Sequence, residues 1–261
     1  MIKLIVSDID GTLVNNEKEV PVSFWKAFER MQELDILFCV ASGRQIQSLH
    51  ELFAPIKNNI AYAPDNGASL IYQNKTLFEK LITPADYLPI MRTCNEINGI
   101  GVALCGRDRA YIKTDSEWIF DEIARHYPAH TTVSDFAAID DDIFKITICD
   151  EGISRLNSYQ YLKKYQNDFN VVISGEIWLD ITGKDVNKGN AITHLQRILE
   201  ITPEETVVFG DHMNDVEMIQ CAKHSYAMKN AQEELKALAK YVTEYDNNEA
   251  GVVKEIEKIL K

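Results

Sequence analysis

The chain alternates between short, wholly apolar runs and longer stretches with an apolar residue at every third or fourth position. Ile2, Leu4, Ile5 and Val6 open it as a compact run rich in β-branched residues, the pattern of a strand buried on both faces. Val22, Trp25, Phe28, Met31 and Leu34 follow at intervals of three, which predicts an amphipathic helix over 21–34, with Pro21 or Ser23 at its start. Ile36 to Ala41 is a second apolar strand, Ile46, Leu49 and Phe53 carry a helical stripe, and Ile60 to Ala63 is a third strand. Strands separated by helices in this way predict a parallel sheet.

The order then changes. Ser69–Tyr72 and Thr76–Leu81 flank Gln73-Asn74-Lys75, a hairpin signal. Beyond Ile82 the pattern predicts a helix over 84–98, strands over 101–105 and 110–113, a helix over 118–126, a strand over 144–149, a helix over 154–165, and strands over 169–173 and 177–182. Such a mixture reads as a separate α+β domain, residues 83–182, inserted into a parallel domain made of residues 1–82 and 183–261. The joints carry Pro84 and Gly183, as hinges do. In the last inserted strand, alternation puts Ile177, Leu179 and Ile181 on one face, packed on helices. Trp178, Asp180 and Thr182 lie on the other, towards the reaction site or towards solvent. A helix from Lys188, a strand over 206–210, a helix from Val216, a strand over 224–228 and two closing helices complete the parallel domain. The fold class is therefore α/β, a doubly wound, Rossmann-like parallel-sheet core with an α+β insert.

With 26% charged residues and a net charge of −13, the chain lacks the basic surface that nucleic acid or an anionic membrane requires. A small anionic substrate remains compatible, because one bound divalent cation and one lysine invert the local potential. The five cysteines show no CxxC spacing and an odd count, a reducing-compartment pattern. No apolar run approaches membrane-spanning length. The expectation is a cytoplasmic protein with no protein partner, a monomer or weak dimer.

The polar residues that interrupt this pattern fall at the ends of its strands, where open α/β sheets place their chemistry. Asp8 and Asp10 follow the first strand, with Gly11 beside them. Two like charges at this spacing repel unless something cationic lies between them; a solvated Asp-x-Asp-Gly turn is the other reading. Ser42 and Gly43 end the second strand at a helix entrance, which is either an anion site or simply a helix cap. Lys188 opens a helix, where it opposes the helix dipole unless it faces an anion. Asp211, Asn214 and Asp215 follow the fourth parallel-type strand, over 206–210.

Taken together, Asp8-Ile-Asp-Gly-Thr-Leu13, Ala41-Ser-Gly-Arg44, Lys188-Gly-Asn-Ala191 and Gly210-Asp-His-Met-Asn-Asp215 resemble, in order, the signature motifs of the haloacid dehalogenase-like (HAD) hydrolases. Asp65-Asn-Gly-Ala68 and Ser225-Tyr-Ala-Met-Lys-Asn-Ala231 add a resemblance to the Cof-type phosphatases, and the position of the insert is that of their C2B-type cap.

The resemblance implies a magnesium-dependent phosphatase acting on a small phosphorylated metabolite, with a sugar phosphate the favoured substrate. Asp8 is then the nucleophile that forms an aspartyl-phosphate, and Asp10 the acid and base. Mg2+ is held by Asp8, the Asp10 carbonyl and Asp211, with Asp215 orienting a bound water. Ser42, Gly43, Lys188 and Asn214 bind the phosphoryl oxygens. The insert reads the leaving group. A phosphomannomutase-type mutase and a non-catalytic sugar-phosphate binding module are the alternatives. A longer glycine-rich fourth motif would favour the first, and a lost catalytic position the second.

Overall fold

The computed structural model describes residues 1–261 and divides them into two compact units, Met1–Glu79 with Asn187–Lys261, and Lys80–Val186. In chain order the elements are β1 (Leu4–Ser7), α1 (Val22–Glu33), β2 (Leu37–Ala41), α2 (Ile46–Leu52), β3 (Ala61–Ala63), β4 (Ser69–Tyr72) and β5 (Lys75–Glu79). Next come α3 (Pro84–Cys94), β6 (Ile100–Gly106), β7 (Ala110–Lys113), α4 (Glu117–His126), β8 (His130–Thr132), β9 (Ile143–Asp150), α5 (Ser158–Leu162), β10 (Phe169–Ile173) and β11 (Trp178–Gly183). The chain closes with α6 (Lys188–Leu199), β12 (Thr206–Gly210), α7 (Val216–Gln220), β13 (His224–Ala227), α8 (Glu233–Leu238), β14 (Tyr241–Val242) and α9 (Gly251–Ile259).

The first unit is an eight-stranded sheet ordered β14-β13-β12-β1-β2-β3-β4-β5. It is parallel from β14 to β3, and β4 and β5 add an antiparallel edge. Gln73 and Asn74 both take positive φ, +51° and +58°, as a two-residue hairpin turn requires. From β1 the chain works outwards through β2 and β3 on one side and through β12, β13 and β14 on the other. With strands on both sides and the core packed over it, β1 is central, and every residue of Leu4–Ser7 is inaccessible. The point where the order reverses lies between β1 and β12, and the ends of these two strands carry Asp8 and Asp211.

The second unit is a six-stranded sheet ordered β10-β11-β9-β6-β7-β8, antiparallel except for β7 with β8. One face packs Ile146, Ile148, Leu179 and Ile181 against Tyr87, Ile90 and Met91 of α3 and Leu162 of α5. The other packs Ala103, Cys105 and Cys149 against Ile119 and Ile123 of α4. Leu179 and Ile181 thus take the apolar face predicted for them, whereas Ile177 precedes β11 and joins the α4 side. Asp180, predicted to face either site or solvent, accepts the Thr147 hydroxyl at 2.7 Å, and Trp178 meets the His126 ring edge-on. Their neighbours come from their own unit. The predicted helix over 154–165 is broken into short turns at Asn157. The cause is a nearby side chain: the fully buried Asp150 carboxylate accepts Ser154 Oγ at 2.7 Å, Ser158 Oγ at 2.6 Å and the Ser158 N–H at 3.2 Å, which pins both serines and bends the chain between them.

Asp150→Ala leaves two buried hydroxyls and an N–H without their acceptor. Because charged hydrogen-bonded groups are involved, the expected loss is about 3 kcal/mol of unfolding free energy. Urea unfolding followed by tryptophan fluorescence checks it, and a midpoint equal to that of the parent protein would contradict it.

Candidate active site

The site is built on the turn that follows β1. Residues 9–13 wind tightly but not as a regular helix: Asp10 has ψ 122° and Gly11 has φ +76°. Only glycine suits position 11. Its φ is left-handed, and a Cβ there would run into the Asp211 carboxylate. The turn brings Thr12 Oγ1 to 3.0 Å from Asp211 Oδ1, to which it donates.

Lys188 arrives from the other end of the sequence. Asn187 caps α6 by accepting the Asn190 N–H at 2.7 Å, so Lys188 is the first helical residue. Its ammonium is completely buried and donates to Asp8 Oδ1 and to Asp215 Oδ1, each at 2.6 Å. Asp215, equally buried, uses its other oxygen to accept the N–H groups of Asp211 at 2.9 Å and His212 at 3.2 Å. This fixes the loop after β12 and orients Asp211. Carboxylate oxygens of Asp8, Asp211 and Asp215 all lie within 4.8 Å of one another.

Three carboxylates against one ammonium leave the cluster negative. Burial, with Asp215 and Asp211 adding repulsion, pushes the Asp8 carboxyl up to about 8 despite the downward pull of Lys188. Asp211 is raised by burial and then by Asp215, with Thr12 opposing. Burial alone would lower the Lys188 ammonium, but Asp215 and Asp8 outweigh it and hold the group protonated. A small divalent cation suits this donor set: the oxygens are hard, converging and short of positive charge.

Asp10 is in a different situation. Its carboxylate turns to Arg44, which donates Nε to Oδ2 at 2.8 Å and Nη2 to Oδ1 at 2.7 Å, and to Lys18 Nζ at 2.8 Å from Oδ1. Burial would raise this carboxyl, but the Arg44 and Lys18 hydrogen bonds and charges hold it at about 2. Neither cation was picked out from the sequence as a partner of Asp10. Arg44 could have been found from its place in Ala41-Ser-Gly-Arg44, whereas Lys18 sits in a loop with no pattern to mark it.

The remaining predicted residues form a second group. Ser42 is buried, and its Oγ accepts the Arg44 N–H at 3.2 Å. Asn214 is exposed, and its Nδ2 donates to Asn66 Oδ1 at 3.0 Å. Asn66 also stands beside Gly43. Of the residues expected from the sequence, Asp8, Lys188, Asp211 and Asp215 therefore meet directly. Asp10 is held by Arg44 and Lys18, and Ser42, Gly43 and Asn214 are linked through the loop that carries Asn66.

A parallel sheet with paired carboxylates at its switch point and a buried lysine between them defines a phosphoryl-transfer class of α/β hydrolase, and the comparisons with known proteins agree. Residues 5–256 match the family model of the haloacid dehalogenase-like hydrolases, so the chain belongs to that family, and it is one of its phosphatases. It is 31% identical over 265 residues to the 5-amino-6-(5-phospho-D-ribitylamino)uracil phosphatase YbjI of Escherichia coli, covering 100% of this chain and 97% of the relative. It is 25% identical to the Bacillus subtilis phosphatase of the same name, YcsE, covering 98% of this chain and 94% of the relative. Among solved structures it resembles the HAD subclass IIB sugar phosphatase BT4131, with a TM-score of 0.83, 25% identity and 98% of each chain covered. No helix is long and apolar enough to cross a membrane.

The raised Asp8 carboxyl has a pH signature. Between its ordinary value of 3.8 and about 8, the folded metal-free protein holds a proton that the unfolded chain releases. The stability contributed by this group is full below the lower value and is lost as pH rises through the upper one. A divalent cation needs the ionised form, so it competes with that proton. Magnesium is therefore expected to raise the thermal midpoint more at pH 8 than at pH 5, in melts with Mg2+ against chelator. An equal rise at both values would show that the ion does not engage Asp8.

Proposed function

We propose that the protein is a magnesium-dependent phosphatase that hydrolyses phosphate monoesters of small polyhydroxylated metabolites, sugar phosphates above all, through an aspartyl-phosphate on Asp8. The observation that carries this reading is the contact of the buried Lys188 ammonium with Asp8 Oδ1 at 2.6 Å, at the carboxyl end of β1. A carboxylate so placed, beside a fixed cation, is suited to attack a group whose own charge repels free nucleophiles.

Asp8, the backbone carbonyl of Asp10 and Asp211 would hold Mg2+, with Asp215 alongside. When bound there, the ion supplies positive charge to the phosphoryl oxygens and to the nucleophile. The chain's own residues do the rest. Lys188, Ser42 and Asn214 bind phosphoryl oxygens, and the backbone at Gly43 lets them approach. An Asp8 oxygen forms a bond to phosphorus as the bond from phosphorus to the ester oxygen breaks, and the leaving alkoxide takes a proton from Asp10. A water that gives its proton back to Asp10 then attacks phosphorus. The bond to Asp8 breaks, phosphate leaves and the carboxylate is restored. Asp10 is ionised in its pairing with Arg44 and Lys18. To act as an acid it must part from Arg44 and gain a proton as the substrate enters.

The names of the relatives support this substrate class. Two are phosphatases of a phosphorylated ribitylamino compound, and a solved neighbour is a sugar phosphatase. Both kinds of leaving group are polyhydroxylated alcohols. The residues of 83–182 act as the cap that reads the leaving group.

Asp8→Asn is expected to lower turnover of an aryl phosphate at least a thousandfold (roughly 4 kcal/mol in the barrier) in a protein that is still folded by circular dichroism. Activity near the parent level in that variant would remove Asp8 from the nucleophile role. Asp10→Asn is expected to slow sugar phosphates far more than an activated aryl phosphate, because a good leaving group needs little protonation. Equal losses on both would make Asp10 a metal-site residue only. A kinetic screen with Mg2+ over hexose phosphates, ribityl phosphates, nucleotides and phosphopeptides tests the class. The highest kcat/KM on a phosphopeptide would refute it.

A further inference from the structure

Between β3 and β4 the backbone does something costly. Asp65, Asn66 and Gly67 take positive φ in succession, +49°, +57° and +86°. For Asp65 and Asn66 this is the left-handed region that residues with a Cβ avoid, and it persists only where the surroundings over-determine it. Here they do. The Asn66 N–H donates to the Ser42 carbonyl at 2.8 Å, the Asp65 N–H to the Arg44 carbonyl at 3.0 Å, and the Gly67 N–H to the Pro64 carbonyl at 2.8 Å. The loop is clasped along the backbone of residues 42–44.

The outcome of this conformation is the position of one amide. Asn66 Oδ1 accepts from Asn214 Nδ2 at 3.0 Å, and that is the only side-chain hydrogen bond of Asn214. The same amide oxygen stands 3.3 Å from the place a Cβ on Gly43 would occupy. Asn66 therefore sits between the two loops that carry Ser42, Gly43 and Asn214. An exposed asparagine has two nearly equal amide orientations. One presents an N–H to a phosphoryl oxygen, and the other presents a carbonyl oxygen, which an anion repels. Donating one Nδ2 hydrogen to Asn66 holds the Asn214 amide nitrogen in place and leaves its second hydrogen for a phosphoryl oxygen, which is the first orientation.

We infer that Asn66 is a positioning residue for the phosphoryl group, acting through Asn214 by fixing which edge of its amide faces the anion. This rests on the reading of Asn214 as a phosphoryl donor. The strained loop is the device that brings the acceptor to it.

Asn66→Gly is the discriminating variant, because glycine adopts the left-handed backbone freely and removes only the amide. It is measured beside Asn214→Ala and the double variant, using inorganic phosphate with Mg2+ as the binding probe, an aryl phosphate for kcat/KM, and the thermal midpoint. Asn66→Gly is expected to keep or raise the midpoint while weakening phosphate binding and kcat/KM roughly tenfold, the worth of one hydrogen bond to a charged partner. The double variant is expected to bind phosphate no more weakly than Asn214→Ala alone, since the two residues act as one unit. Parent-like phosphate affinity in Asn66→Gly would overturn the inference, and so would fully additive losses, which would make Asn66 independent of Asn214. Unchanged affinity in Asn214→Ala would refute the reading of Asn214 and the inference with it. Loss of turnover with phosphate binding intact in the parent protein would instead fault the hydrolase reading alone.

Discussion

The ammonium of Lys188 holds the site together. It lies between Asp8 and Asp215 with no exposure to solvent, so each of the three charges is tolerable only because of the others. Removing the lysine would leave two buried carboxylates facing each other across a short gap, with Asp211 adding to the repulsion. The bridge also joins segments from the two ends of the chain: Asp8 at the close of β1, Lys188 at the start of α6, and Asp215 in the loop after β12. The parallel pairing of β1 with β12, from Leu4 opposite Thr206 to Ser7 opposite Phe209, sets the register that lets them meet.

Around that bridge the site depends on turns that regular structure cannot supply. The winding of residues 9–13 is kept in shape by groups from distant loops. Asn230 Nδ2 donates to the Gly11 carbonyl at 2.7 Å, and Asn247 Nδ2 donates to the Val14 carbonyl at 3.0 Å. Asn247 in turn gives its N–H to Asn230 Oδ1 at 3.2 Å. These amides satisfy carbonyls that no helix or strand would pair, and they fix the direction of the Asp10 backbone. Arg44 performs a comparable service for the Asp10 side chain, at the expense of holding it ionised.

Much of this was legible from the residues alone, for a physical reason. A strand buried on both faces has no use for carboxylates at its end, so Asp8, Asp10, Asp211 and Asp215 stood out against Leu4–Ser7 and Thr206–Gly210. Lys188 was conspicuous because it opposes a helix dipole. The parts that were not legible depend on partners distant in sequence. The break at Asn157 is the exception: it comes from Asp150, a nearby buried acceptor that no periodicity marks and that overrides a good helical stripe. The short strands β8 and β14 exist because their neighbours offer free edges, and two or three residues carry no periodicity. Trp178 and Asp180 alternate correctly, but alternation cannot say that His126 and Thr147 would cover them. Likewise, Asn66 was visible as part of the Asp65-Asn-Gly-Ala68 string, while its bond to Asn214 required the fold to bring residues 66 and 214 together.

The division of the chain also governs the order in which it can become a protein. Residues 80–186 form a self-contained unit whose strands all pair with one another, so they can complete their sheet while the ribosome is still making α6 and β12. The strands before them cannot do the same, because β1 lacks its neighbour on one side until Thr206–Gly210 has emerged. Until then Asp8 has neither its lysine nor its companion carboxylates. The nascent chain thus carries its nucleophile long before its catalytic constellation can assemble. A truncated product released in that interval would hold five of the eight strands of the first sheet and Asp8, Asp10 and Ser42 without Asp211 or Asp215.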